Sequence, residues 1–221
     1  MTYSDDTGEY NVRDGDVWRA GQHAVICGSA LDADIIILYS TFTADRPHIV
    51  YADLPFNQAH TTRFHHLADI PVPRHDDVIR AIVSLALLSE PAACYLEYAA
   101  DASLLQRIIT SWGYDEPVTV PGHYGSSERP CSYTCLGPIA RPWIVSGASD
   151  KLAPQYVAAY HRLPVVDVCA GRGHTPVVAA KLGLSSCSVE LVPRRAAIIL
   201  QRLAKIDSVL PYLHHRRGDD A

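Results

Sequence analysis

Lysine is nearly missing from this chain. Of 19 cationic residues only three are lysines, Lys151, Lys181 and Lys205, and the formal net charge is −5. That balance excludes a protein that coats nucleic acid by bulk electrostatics, while leaving room for a local basic face. The arginines that stand in for lysine carry a planar fork suited to phosphate contacts, and the same bias follows from a GC-rich coding sequence. Long hydrophobic runs are also absent: none approaches the roughly 20 residues needed to cross a bilayer. The opening segment MTYSDDTGEYNVRDGD is acidic and polar, the reverse of a signal peptide, so a cytoplasmic location without a membrane partner is expected. Internal repeats and low-complexity segments are lacking too. The six cysteines are scattered, mostly in apolar runs, and read as small buried hydrophobes rather than a disulfide framework. Cys131 and Cys135 form a C-x3-C, but no second ligand pair follows at zinc spacing, and no metal is expected.

What is present is the composition of one globular domain: 221 residues, 48% hydrophobic and 19% charged, enough for a sizeable core. HAVICGSA (23–30) reads as a short strand, and DADIIILYSTF (32–42) as a helix with Asp32 as cap. HIVYAD (48–53) is a near-continuous apolar run, the pattern of a strand buried on both faces. Residues 57–75 show no clear period and have Pro55, Pro71 and Pro73 nearby, which predicts a long loop. From Asp76 the spacing of Val78, Ile79, Ile82, Val83 and Leu85 predicts a helix. A strand (92–98, with Tyr95 and Glu97 as core and rim residues) and a helix (101–112) follow. EPVTV and PCSYTCLG form a hairpin joined through PGHYGSSER. A helix over SDKLAPQYVAAYHRL, strand PVVDVCA, helix 175–182, strand SCSVEL and a helix from Pro193 to about Val209 complete the chain. Strands alternating with helices predict an α/β fold with a mainly parallel sheet, which binds ligands at the carboxyl ends of its strands.

Two strand ends are chemically odd. IVYADLPFNQAH (49–60) runs from a buried strand into an acid, a proline and an aromatic, where glycine or asparagine would make a simpler turn. VVDVCAGRGHTPVVAA (165–180) is strand, glycine turn and helix. Gly171 and Gly173 let the backbone turn tightly and approach a ligand, and the helix start at Thr175-Pro176 offers free N–H groups. About 20 residues on, Glu190 ends the next strand, where an acid can accept both hydroxyls of a ribose. The glycine pair lacks a third glycine at dinucleotide spacing, so both a ligand turn and an ordinary tight β-to-α turn fit it.

Together these stretches resemble the amino-methylating (N6-adenine/N4-cytosine) DNA methyltransferases. DVCAGRGHT is similar to their D-P-F-x-G-S-G-T-T cofactor motif, DLPF (53–56) to their [DNS]-P-P-[YFW] motif, and WRAGQHAVICGSALD (18–32) to the segment that precedes it in many bacterial and phage members. The catalytic motif comes first and the cofactor motif late, the order of the β-type enzymes. The resemblance spans residues 17–205. It implies a Rossmann-like class I methyltransferase fold with helices on both faces and a closing antiparallel hairpin, and S-adenosylmethionine as cofactor.

By that resemblance Asp53 accepts a hydrogen bond from a base amino group, the Leu54 carbonyl accepts another, Pro55 stiffens the turn, and Phe56 stacks on a base flipped out of double-stranded DNA. Asp167, Cys169, Gly171, Gly173, Glu190 and Lys151 are the implied cofactor contacts. Arg63, His65 and His66, just after the catalytic motif, fall where related enzymes contact DNA. The sequence departs from the family at Leu54, which stands in place of a proline and reduces the rigidity of the turn.

The implied domain plan is a polar extension (1–16), one methyltransferase domain (17–212, catalytic half 17–140 and cofactor half 141–212), and a frayed tail (213–221). Only about ten residues, PIARPWIVSG, lie where these enzymes insert a target-recognition region. Three outcomes fit that short link: low sequence specificity, a site read by the 57–75 loop and the PGHYGSSER hairpin, or dependence on a recognition subunit or a homodimer. Asp at the first motif position favours adenine N6 over cytosine N4. A catalytically inactive relative that binds nucleic acid or a partner subunit, and an RNA or protein methyltransferase, are the alternative readings.

Overall fold

The computed structural model describes residues 10–44, 46–114, 117–125 and 129–218. Their strands form one sheet: β1 (Val17–Ala20), β2 (His23–Cys27), β3 (Ile49–Asp53), β4 (Ala93–Ala99), β5 (Val118–Tyr124), β6 (Arg129–Leu136), β7 (Val165–Asp167), β8 (Ser186–Glu190) and β9 (Tyr212–His215). The order is β5-β6-β4-β3-β7-β8-β2-β1-β9. The central strands β4, β3, β7, β8 and β2 run parallel, and β6 with β5 closes one edge as an antiparallel hairpin. The expected α/β class and closing hairpin are both found.

Among the described residues seven helices cover the sheet: α1 (Ala33–Thr43), α2 (Gln58–Leu67), α3 (His75–Leu88), α4 (Ser103–Thr110), α5 (Ala153–His161), α6 (His174–Lys181) and α7 (Pro193–Asp207). Strand β3 explains why two layers are needed. Successive side chains of a strand point to opposite faces. Val50 and Ala52 join Val78, Ile79 and Ile82 of α3 in one core, and Ile49 and Tyr51 join Val157 of α5 and Ala179 of α6 in the other. Each full burial of a Val or Ile contributes about 1.5–3 kcal/mol, so an apolar IVYA strand is stable only when doubly covered.

The chain leaves β3 through α2 and α3 toward β4, and leaves β7 through α6 toward β8, on the other side. Adjacent strands whose connections diverge open a crevice at their carboxyl ends. Asp53 and Asp167 are the last residues of those two strands.

Two expectations are corrected. Residues 58–67 are helix α2 rather than loop: Asn57 caps it, its Oδ1 accepting from the His60 amide at 3.0 Å. Its buried positions, Thr61 and His65, are polar, so no apolar stripe advertised it. The expected frayed tail is ordered as far as Gly218. Tyr212–His215 pair with β1, and Arg216 holds Asp16, which is 0% exposed, through bonds of 2.8 and 3.0 Å. Arg217 bonds Asp14 and Asp32. The two arginines thus neutralise Asp14 and Asp16 of the polar extension and Asp32, the cap of α1. Residues 219–221 and 1–9 lie outside the described residues. No helix among the described residues is long and apolar enough to cross a membrane.

Candidate active site

The crevice between β3 and β7 opens into a cleft of about 830 Å³. One wall is Asp53, Leu54, Pro55 and Phe56, and the facing wall is Asp167, Cys169, Gly171 and Glu190. Lys151, Arg63 and His65 also line it. Two residues singled out in the sequence do not. Gly173 sits behind the turn, where a Cβ would lie 2.7 Å from Ile199 of α7, so it serves helix packing. His66 is exposed on α2 and away from the cleft lining.

The glycine turn is held from within. The Cys169 amide donates to Asp167 Oδ1 at 3.0 Å, and the Gly173 amide to the Ala170 carbonyl at 2.7 Å. Gly171 adopts φ +55°, and a Cβ there would make only an ordinary contact with the Cys169 carbonyl oxygen, at 3.9 Å. Glu190 turns back on the segment that follows β8, its Oε1 accepting from the Val192 amide at 2.9 Å.

On the opposite wall, Leu54 is 1% exposed, and its amide donates to the Glu97 carbonyl at 3.0 Å, extending the β3–β4 ladder by one residue. A proline could not make that bond. The rigidity that a proline would bring is therefore replaced by a ladder bond and a buried side chain. Phe56 sits in an aromatic surround, edge-on to Tyr124 at 5.2 Å and to Tyr98 at 6.3 Å, with His60 at 5.8 Å.

Several site residues were not legible in the sequence. Tyr124 hydrogen-bonds Asp53. It was hidden because PGHY, read as hairpin loop, continues β5. Pro121 is tolerated on this edge strand, and Gly122 is required because a Cβ would stand 2.2 Å from the Tyr133 ring and 2.9 Å from the Ala148 carbonyl. The same close approach lets β5 bond the segment after β6. The Asp150 amide donates to the His123 carbonyl, and Asp150 Oδ1 accepts from the Gly125 amide at 2.7 Å. That pairing carries Asp150 and Lys151 into the cleft. Arg172, from the glycine turn, and Arg195, from α7, line the cleft mouth with Arg63 of α2. The Arg195 guanidinium lies over the Phe64 ring, 4.5 Å from its centroid, joining α7 to α2. His65, read as a DNA contact, is 3% exposed, and its Nδ1 bonds the Thr61 carbonyl, so it braces α2.

The floor of the cleft is acidic, with the buried Glu97 beneath it. Burial pushes Asp167 up to about 6 against the hydrogen bonds from Thr175 and the Cys169 amide. Burial also pushes Glu190 up to about 7 against the Val192 amide and the nearby Arg195. Asp53 is raised well above the usual carboxylate range by burial, then by the charges of Glu97, Asp167 and Asp150, with Tyr124 opposing. Glu97 is pushed up to about 7 by burial, with the Tyr51 hydrogen bond opposing. Such a floor suits a cationic ligand, since a fixed positive charge would favour the ionised state of Asp53, Asp167 and Glu190, the three of these carboxyl groups that line the cleft.

No protein-family model matches the sequence, and no curated protein does. Solved structures do match in fold. TTHA0409 of Thermus thermophilus, assigned as a DNA modification methylase, superposes with TM-score 0.55 at 17% identity, over 82% of this chain and 94% of its own. The PvuII DNA methyltransferase (cytosine-N4-specific) gives 0.55 at 12% identity, over 84% and 90%. M1.HpyAVI gives 0.51 at 12% identity, over 81% and 97%. TTHA0409 and M1.HpyAVI have each been solved with S-adenosylmethionine. The chain has the fold of these methylases over nearly their whole length.

Proposed function

We propose that this chain transfers a methyl group from S-adenosylmethionine to an exocyclic amino group of a DNA base, adenine N6 in preference to cytosine N4. One observation carries the reading: the Asp53–Phe56 turn and, more than a hundred residues away, Gly171 after β7 and Glu190 at the end of β8 line one cleft at the switch point of the sheet.

The volume of the cleft is within the range of cofactor sites, and its acidic floor suits a sulfonium and an ammonium group. When bound, the cofactor supplies a methyl group already activated for displacement. The chain does the rest. Glu190 accepts the ribose hydroxyls, Gly171 lets the backbone come close, Asp167 holds the turn through the Cys169 amide, and Lys151 meets the methionine carboxylate. Asp53, oriented by Tyr124, accepts a hydrogen bond from the amino group, and the Leu54 carbonyl accepts the second. Both acceptors raise the nucleophilicity of the nitrogen as charge develops on it. Phe56 offers a face to a flipped-out base, steadied by Tyr124 and Tyr98. Holding nitrogen and methyl in line provides much of the rate.

Arg63, Arg172 and Arg195 at the cleft mouth are the local basic face that an overall acidic chain needs to meet duplex phosphates. The short link between β6 and α5 supports a recognition subunit or a second copy as the source of sequence specificity. The preference for adenine rests on Asp53 at the first motif position, and product analysis tests it. The protein is incubated with S-adenosylmethionine and unmethylated duplex DNA, and the digested nucleosides are separated by mass. N6-methyladenine is expected. N4-methylcytosine would reverse the base assignment, and no methylated base from a protein that binds the cofactor would overturn DNA as substrate.

A further inference from the structure

Glu97 is the buried ionisable group that the scheme above leaves unused. It is 0% exposed, does not line the cleft, and lies in register with Asp53 on the adjacent parallel strand. Its Oε2 accepts a bond of 2.6 Å from the Tyr51 hydroxyl, and its Oε1 has no hydrogen-bond partner among the described residues. A carboxyl group so placed costs stability, and a leucine or glutamine would fill the space without that cost. Its neighbours point to a role. The ionisable groups facing the pair are Tyr51 on β3, Cys131 and Tyr133 on β6, Tyr124 on β5, Asp150 before α5, and Asp167 and Cys169 at the end of β7. Each is neutral or acidic.

We propose that Glu97 is a positioning residue for Asp53: its buried carboxyl group, in register beside Asp53, keeps Asp53 basic enough to take the proton that the methylated amine must lose. The inference rests on the reading of the cleft as an amine-methylating site. In that reaction the nitrogen lone pair forms the new N–C bond, and the electron pair of the broken S–C bond stays on sulfur as a thioether. The nitrogen is left cationic. Its surplus N–H proton passes to the Asp53 carboxylate and then to solvent. Two like charges in adjacent register cannot both be held cheaply here, so the pair titrates as a unit and binds a proton at a pH where an isolated aspartate would not. The raised values of both groups agree with this geometry.

The test measures Asp53 directly. The protein is labelled with carboxyl-13C aspartate, the Asp53 signal is assigned with Asp53→Asn, and its titration is followed in wild type and Glu97→Gln. Glu97→Gln is expected to lower the Asp53 midpoint by about one pH unit and to move the acid limb of the single-turnover rate the same way. Should Glu97→Gln fail to fold, Tyr51→Phe removes the donor to Glu97 Oε2, disfavours its ionised form, and is expected to move Asp53 downward by a smaller amount. An unchanged midpoint would overturn the coupling, and a lowered midpoint with an unmoved rate limb would overturn its use in catalysis. The NMR arm needs no turnover. A wild type that binds cofactor yet methylates no base would therefore defeat the preceding section without being mistaken for a failure of the pair.

Discussion

The Leu54 amide and the Glu97 carbonyl are joined by a bond of 3.0 Å that ties the Asp53–Phe56 turn to β4. Placing a proline at this position with Leu54→Pro would delete this bond, strand a buried carbonyl and remove a side chain that is 1% exposed. The expected loss is about 2 kcal/mol of unfolding free energy with methyl transfer retained. Denaturant unfolding and single-turnover rates on the same preparations check it. Unchanged stability would mean that the ladder bond adds nothing to the turn.

Asp53→Asn keeps the shape of the acceptor and removes its charge. Methyl transfer should fall by about 10²-fold or more while calorimetric affinity for the cofactor stays within a few-fold. Equal losses in both would make Asp53 a cofactor residue instead.

Glu190 carries a trade between stability and binding. Its folded value of about 7 lies above that of an exposed glutamate, so the folded state holds the proton more tightly. The stability it contributes is complete at acidic pH and is lost as pH rises toward 7. Glu190→Gln should accordingly stabilise the cofactor-free protein more at pH 8 than at pH 5. The ionised form is the one that suits ribose hydroxyls and a cationic ligand. Cofactor affinity in the wild type should therefore rise with pH through the titrations of Asp167 and Glu190, and the Gln variant should lose part of that rise. Melting scans and calorimetry across pH give both readings.

Gly122→Ala tests the close approach beneath Tyr124. The added methyl would meet the Tyr133 ring at 2.2 Å, and overpacking of this kind costs about 1–3 kcal/mol. Because Tyr124 and Asp150 depend on the same backbone pairing, turnover should drop further than stability explains, visible as a lower kcat in fully folded protein.

Arg216→Ala should destabilise the chain by about 3 kcal/mol, since it leaves the buried carboxylate of Asp16 without its guanidinium. A shift within error would return the tail to the frayed state expected from sequence.

The apolar strands, the α3 helix and the two odd strand ends were legible because their patterns follow from burial on one or both faces. Helix α2 was not: its buried residues are polar, and its cap is a single asparagine. β9 was not, because Arg216 and Arg217 find their acids some two hundred residues earlier in the chain, at Asp14, Asp16 and Asp32. The site divides in the same way. Asp53, Phe56, Gly171 and Glu190 belong to local motifs, whereas Tyr124 and Asp150 reach the cleft, and Glu97 comes beside Asp53, through sheet register and backbone pairing, which no short stretch of sequence encodes.

The parallel pairing of β3 with β7 also governs the order of assembly. A ribosome delivers IVYAD long before VVD, so during synthesis one edge of β3 stays bare and apolar and has no partner to dock on. Neither half of the chain can hold the cleft by itself, because each contributes one wall of it. Separately made fragments divided in the link between β6 and α5 should be inert alone and should regain cofactor binding only on mixing, as two halves of a single hinge-less clamp.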